Sequence, residues 1–161
     1  VGKRLSEISL ALGMNVFVYS ESFKSRKLDF PNISFISLSK IISESDIISF
    51  HCKPTTDGKP IISFNELKSM KKNSVLINTA RGNLIDENDL KKALNENIIS
   101  GAALDVYSNE PAKNSILFGT KNLILTPHIA ASTYEAQIIV AKQIAEQICH
   151  YFNTGEIINS V

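Results

Sequence analysis

The run INTARGNLIDE, residues Ile77 to Glu87, decides how this chain is read. An apolar segment, Val75, Leu76 and Ile77, breaks at Asn78 into a short loop carrying Arg81 and Gly82, and a helix is predicted to open at Asp86. A strand that stops at a small-residue turn ahead of a helix N-terminus is where open α/β sheets collect their ligands. Arg81 is the first candidate for chemistry there, because a guanidinium presents a planar fork of donors that can hold a carboxylate and a carbonyl oxygen beside it. A loop arginine is equally an ordinary surface charge. The neighbouring segments have to discriminate between the two.

Working outward, short apolar runs alternate with helical patterns along the whole chain. Val1, Gly2 and Lys3 lead into an amphipathic stretch (Leu5, Ile8, Ser9, Leu12) that stops at Gly13, and Asn15 to Tyr19 reads as a strand. Ile33 to Ile36 is a short apolar stretch, Leu38 to Ser45 a weak helix, and Asp46 to Phe50 a strand that ends at His51, Cys52, Lys53 and Pro54. Ser63 to Glu66 forms a capping box for a helix to about Lys71, ahead of the strand Ser74 to Ile77. Then follow a helix from Asp86 to Asn95, strands at Ile99 to Val106 and Leu123 to Thr126, and a second capping box, Ser132 to Glu135. The last helix keeps an apolar stripe (Ala136, Ile139, Val140, Ile144, Ile148, Phe152) up to Gly155. Short buried strands alternating with helices predict an α/β protein with a Rossmann-like, doubly wound parallel sheet in three αβα layers.

The beginning of the chain bears on the same point. A helix without an N-cap, followed directly by a strand, suggests a dinucleotide-binding unit that lacks its first strand and the first two glycines of G-x-G-x-x-G, with Gly2 as the third. Residues 1–161 are therefore expected to be a dinucleotide-binding domain truncated at its N-terminus. The ribose-binding acid of such a unit stands at the end of the second strand, about 20 residues beyond the motif, where Ser20 and Glu21 are found.

Bulk properties fit one ordinary domain of 161 residues, 43% hydrophobic and 20% charged. With 17 basic residues against 16 acidic ones, the net charge of +1 gives no electrostatic case for nucleic acid or an anionic membrane. No apolar run approaches a membrane span. The two cysteines, Cys52 and Cys149, match no metal or redox spacing; they read as core thiols in a reducing compartment, the cytoplasm. No metal site is expected.

Three segments follow strands and can share one crevice: Arg81 and its loop, Asp105 to Pro111, and Thr126-Pro127-His128. A histidine just beyond a strand and a proline is held in place and titrates near neutrality. A carboxylate on its other ring nitrogen favours imidazolium, and Glu110 is the proposed partner. Of the three histidines, His51 lacks an acidic segment of similar character and His150 lies in the long helix, so His128 is preferred. Taken singly, each residue also fits a hydrogen-bonded loop position.

Together the segments resemble the NAD-binding domain of the D-isomer-specific 2-hydroxyacid dehydrogenases, over essentially the whole chain. The residues that carry this are Asn78-Thr79-Ala80-Arg81-Gly82, Asp105-Val106-Tyr107 with Glu110-Pro111, and Thr126-Pro127-His128, in order and at the right spacing. The resemblance implies that Arg81 holds the substrate carboxylate and polarises its carbonyl, while His128, supported by Glu110, exchanges the hydroxyl proton. It also implies NAD as cofactor, with Asp105 facing the nicotinamide. Thr79, Ala80, His128, Ala130 and Ala131 line its pocket, and Val1, Gly2, Ser20, Lys53, Pro54 and Arg81 are further contacts. It implies a small 2-hydroxy or 2-oxo acid substrate, a homodimer or tetramer, and a separate substrate domain that is absent here.

Within the family, the run from His128 to Gln137, followed by Gly155 and Asn159-Ser160-Val161, looks most like the branch that oxidises 3-phosphoglycerate to 3-phosphohydroxypyruvate at the start of serine synthesis. The alternatives are a glyoxylate or hydroxypyruvate reductase of the same mechanism and, further off, an NAD-sensing scaffold without turnover. Three positions depart from the family pattern. Ser20 stands where an aspartate usually binds the ribose, so with Lys24 and Arg26 nearby it could also accept the 2′-phosphate of NADP. Lys53 and Ala130 replace a more usual apolar residue and a glycine.

Overall fold

A computed structural model describes residues 1–20 and 32–159. Its elements are α1 (Gly2–Ala11), β1 (Val16–Val18), β2 (Ile33–Phe35), α2 (Leu38–Glu44), β3 (Ile47–Phe50), α3 (Phe64–Ser69) and β4 (Val75–Asn78). A 3-10 turn (Gly82–Leu84) then leads to α4 (Glu87–Asn95), β5 (Gly101–Leu104), β6 (Leu123–Leu125) and α5 (Tyr134–Thr154). Glu21, Lys24, Arg26, Lys27, Pro31, Ser160 and Val161 lie outside the described residues.

The chain is α/β, and every described strand pairing is parallel. β1 and β2 form one small sheet; β3, β4, β5 and β6 form another, in that spatial order. Parallel strands connected through helices are the pairing of a doubly wound α/β sheet. Register then does the work of assembly. Phe50 pairs with Asn78, Asn78 with Leu104, and Leu104 with Leu125. The last rung of the larger sheet is therefore level, and the loops that begin at His51, Thr79, Asp105 and Thr126 leave from one edge.

The helices form where local chemistry favours them. Asp86 caps α4 by accepting the Asp89 N–H at 3.0 Å, and Glu66 reaches back to the Ser63 N–H at 2.9 Å at the start of α3. Asp89 also accepts the Phe64 N–H at 2.9 Å, which ties α4 to α3. An isolated parallel bridge between Ile62 and Ile85 fixes the segment after the 3-10 turn, with the Ile61 N–H donating to the Leu84 carbonyl at 2.8 Å.

One core holds these pieces. Ile42 from α2, Leu67 from α3, and Leu90, Ala93 and Leu94 from α4 close over Ile48, Phe50, Leu76, Ala102 and Leu104 of the sheet. The opposite face is more open than the expectation of strands buried on both sides: Ser49, Ile77 and Ala103 are half-buried, and Ile124 is 69% exposed. The described helices of this core cluster cover one face only.

Two further expectations need correction. Cys52 and Cys149 are exposed, not core thiols, since one follows the end of β3 and the other lies on α5, which has no buried residue. The cap of α5 is Thr133, whose side chain accepts the Ala136 N–H at 3.1 Å, while the Ser132 N–H is taken up in a turn with the Ile129 carbonyl. The residues divide into two compact units, Val1–Pro127 and His128–Val161. The second is a turn and α5, closed by Gly155 at φ 73°.

Leu76 is fully buried at the centre of the larger sheet. Its replacement by alanine removes three carbons where backbone cannot collapse, and is expected to cost about 3 kcal/mol in a urea unfolding measurement with unchanged slope.

Candidate functional site

The Arg81 loop is built on a buried amide. Asn78, the last residue of β4, is 1% exposed; its Nδ2 donates to the Arg81 carbonyl at 2.8 Å and its Oδ1 accepts the Ala80 N–H at 3.0 Å. The side chain therefore closes the loop Asn78 to Arg81 from inside. Arg81 itself is exposed, and its Nη1 donates to the Ala80 carbonyl at 2.7 Å. The cationic end stands at the sheet edge with donors to spare.

Gly82 follows, and it has no room for a side chain. A Cβ placed there would overlap the carbonyl carbon and oxygen of Tyr107 and crowd the Ser108 nitrogen. The loops after β4 and β5 are thus in backbone contact. In the second loop, the Tyr107 N–H donates to Glu110 Oε1 at 2.9 Å, and the Ser108 N–H donates to Glu87 Oε1 at 2.7 Å. Consecutive amides are each held by a carboxylate, so the position of Glu110 is fixed by its own loop. The Glu110–Pro111 bond is cis. The sequence marks Asn78 and Gly82 as parts of the Arg81 loop without showing what they hold, and it gives no mark for Glu87; the break of an apolar run at an asparagine and the small residue after Arg81 are the available cues.

Tyr107 and Thr126 join the ends of β5 and β6. The phenol of Tyr107 donates to the Thr126 carbonyl at 2.9 Å, and Thr126 Oγ1 donates to Asp105 Oδ1 at 2.5 Å. Asp105 is 3% exposed. Burial, followed by the negative charges of Asp105, Glu87 and Glu110, pushes the Tyr107 phenol above its ordinary pKa. It is held as a donor.

Of the three candidate catalytic residues, the first unit brings Arg81 and Glu110 into one assembly through Gly82 and Tyr107. His128 opens the second unit, directly after Pro127, with its backbone left-handed at φ 55°. That conformation is uncommon for a residue other than glycine and is held where surroundings demand it. The other two histidines are otherwise engaged. His51 shares a hydrogen bond of 3.0 Å with Ser49 Oγ, and burial, then the positive N-terminus, lowers its pKa; His150 faces Glu156 at 3.2 Å.

The sheet edge also fits a dinucleotide. Val1 caps α1, and Gly2 opens it so close to the end of β3 that a Cβ on Gly2 would lie 3.2 Å from that of His51. This is the tight helix-to-strand approach that the third glycine of a dinucleotide motif allows. Ser20 follows β1 half-buried, Lys53 and Pro54 follow β3 in an exposed loop, and Thr79 and Ala80 follow β4. Ala130 and Ala131 lie in the turn that precedes α5 in the second unit. Among the described residues no cluster of His, Cys, Asp or Glu has the makings of a metal site, and no helix is long and apolar enough to cross a membrane.

Comparison with known proteins shows the family of the chain. Residues 1–130 match the family model described as D-isomer specific 2-hydroxyacid dehydrogenase, NAD binding domain. A glyoxylate reductase of Thermococcus litoralis is 38% identical over 157 residues, which are 98% of this chain and 47% of that protein. A D-3-phosphoglycerate dehydrogenase of Synechocystis is 37% identical over 148 residues, 92% of this chain and 27% of that one. Among solved structures, an acyclic imino acid reductase in complex with NADPH and D-Arg superposes with a TM-score of 0.87 at 33% identity, over 99% of this chain and 50% of that one. The chain spans about half the length of the glyoxylate reductase it matches.

Two outcomes follow from this geometry. Gly82→Ala forces apart two backbones, and is expected to lower stability by about 1–3 kcal/mol in chemical denaturation. The raised pKa of Tyr107 means that the folded state holds the phenolic proton more tightly than the unfolded chain does. Its contribution is complete below the ordinary phenol pKa of about 10 and is lost as pH rises through the folded value. Stability measured against pH should therefore fall less steeply on the alkaline side in Tyr107→Phe than in the wild type.

Proposed function

Because this chain belongs to the D-isomer-specific 2-hydroxyacid dehydrogenases through their NAD-binding domain, we propose that it serves an enzyme interconverting a small 2-hydroxy acid and its 2-oxo acid with NAD. The observation that carries the reading is the backbone contact of Gly82 with Tyr107, which holds the Arg81 loop against the segment bearing Glu110 at the carboxyl edge of the sheet. When bound, the dinucleotide supplies or accepts the hydride. Gly2 would admit its phosphates, Ser20 would meet its ribose, and Thr79, Ala80 and Asp105 would border its nicotinamide, with Lys53, Pro54, Ala130 and Ala131 as outer contacts.

The chain's own residues supply the rest. Arg81 offers its guanidinium fork to the substrate carboxylate and draws electron density from the adjacent carbonyl, which makes that carbon a better hydride acceptor. In the reducing direction His128 gives a proton to the carbonyl oxygen; in the oxidising direction it takes the hydroxyl proton. Glu110 is the carboxylate that would support His128 in this role. A homodimer or tetramer is part of the same proposal.

For the substrate, the resemblance of the run from His128 to Gln137 supports 3-phosphoglycerate, that is, a D-3-phosphoglycerate dehydrogenase. A specific observation supports a second reading, reduction of glyoxylate or hydroxypyruvate with NADPH: Ser20 presents no carboxylate to repel a 2′-phosphate, one relative is a glyoxylate reductase, and the imino acid reductase neighbour holds NADPH. Steady-state kinetics on the full-length protein separates them. NAD-dependent oxidation of 3-phosphoglycerate, falling by about 10²-fold or more in kcat for His128→Ala, is the expected result. Turnover confined to glyoxylate or hydroxypyruvate with NADPH would move the protein to the second reading, and cofactor binding without turnover of any of these acids would make it a scaffold.

A further inference from the structure

We propose that Tyr107 is a positioning residue of this site, its hydroxyl clamping the end of β6 so that the peptide leading into His128 is held in register with the loops of Arg81 and Glu110. The proposal rests on the dehydrogenase reading for its chemistry but on independent geometry for the clamp. Three bonds or contacts meet at this one residue. Its carbonyl lies against Gly82, next to Arg81; its N–H donates to Glu110 at 2.9 Å; its hydroxyl donates to the Thr126 carbonyl at 2.9 Å. Thr126 stands two residues before His128, with a proline between.

Each contact leaves little slack. The Gly82 approach is backbone on backbone, and the Ser108 N–H, bound to Glu87 at 2.7 Å, stops the loop from swinging away on its far side. The Tyr107 ring is buried, so the hydroxyl reaches Thr126 from a packed side chain. On the strand side, the Thr126 N–H donates to the Leu104 carbonyl at 3.0 Å and its Oγ1 donates to Asp105. Amide, carbonyl and side chain of Thr126 are thus all committed to β5 and its loop. Pro127 then has a fixed φ and no N–H, and His128 is the next residue. A phenylalanine would fill the same core volume and leave the Thr126 carbonyl without this donor.

The charges that act on the hydroxyl include those of Asp105, Glu87 and Glu110. All are acidic, and all favour the protonated, donating phenol. The clamp therefore persists throughout the pH range in which a histidine acid would titrate.

The test is Tyr107→Phe in the full-length protein, assayed with glyoxylate, hydroxypyruvate and 3-phosphoglycerate, together with amide hydrogen exchange on both proteins. A fall in kcat on the order of tenfold with KM within about twofold is expected, since a displaced acid costs rate more than binding. The ionisation in the pH profile of kcat should shift as well, and the amides of Asp105 and Thr126 should exchange faster. Unchanged kcat and pH profile overturn the proposal, even if exchange accelerates, because the hydroxyl would then be structural only. If the wild type turns over none of the three acids, the dehydrogenase reading falls and exchange alone decides: faster exchange at Asp105 and Thr126 upholds the clamp, and equal exchange overturns it.

Discussion

The contact between Gly82 and the carbonyl of Tyr107 is the constraint on which this site depends. Two loops that leave neighbouring parallel strands normally diverge, because each has to turn into its own helix or crossover. Here they touch through backbone, and a single Cβ would part them. Around that point the polar groups are committed in pairs: the buried Asn78 amide closes one loop, while Glu110 and Glu87 cap successive amides of the other. Unpaired, such groups would each cost about 1–3 kcal/mol. Paired, they make the loops parts of the scaffold.

The level rung beneath them explains why distant sequence segments meet. Phe50, Asn78, Leu104 and Leu125 stand side by side across four parallel strands. A slip of one residue at any pairing would turn the buried set Ile48, Phe50, Leu76, Leu104 toward the open face. The same hydrophobic alternation that sets the core therefore sets which loop residues stand together. Stability and site geometry are enforced by one pattern.

Much of this was legible in the sequence, for identifiable reasons. The alternation of elements was plain because strands such as Val75 to Ile77 end abruptly at polar or small residues, and because Asp86 and Glu66 cap their helices through local contacts. Arg81, Glu110 and His128 could be singled out because each follows a strand in a distinctive short segment. What stayed hidden depends on long-range packing. Nothing local reports that Gly82 faces Tyr107, that Glu87 reaches Ser108 across 21 positions, or that the Tyr107 hydroxyl finds a carbonyl 19 positions away. The thiols were misread for a related reason: a small apolar side chain says what it tolerates, and Cys52 and Cys149 sit where a strand end and an uncovered helix leave them exposed.

The division of the strands into two sheets has a consequence for handling the protein. β1, β2, β3 and β6 each have one hydrogen-bonded neighbour among the described strands, so each has an outer row of backbone donors and acceptors outside the described pairings. Such a row is a template for any extended peptide that arrives in register. Ile47 lies on β3 and is about half exposed, which adds apolar surface to the hydrogen-bonding row. Edges of this kind favour self-association at high concentration, which salt that screens surface charges does little to prevent.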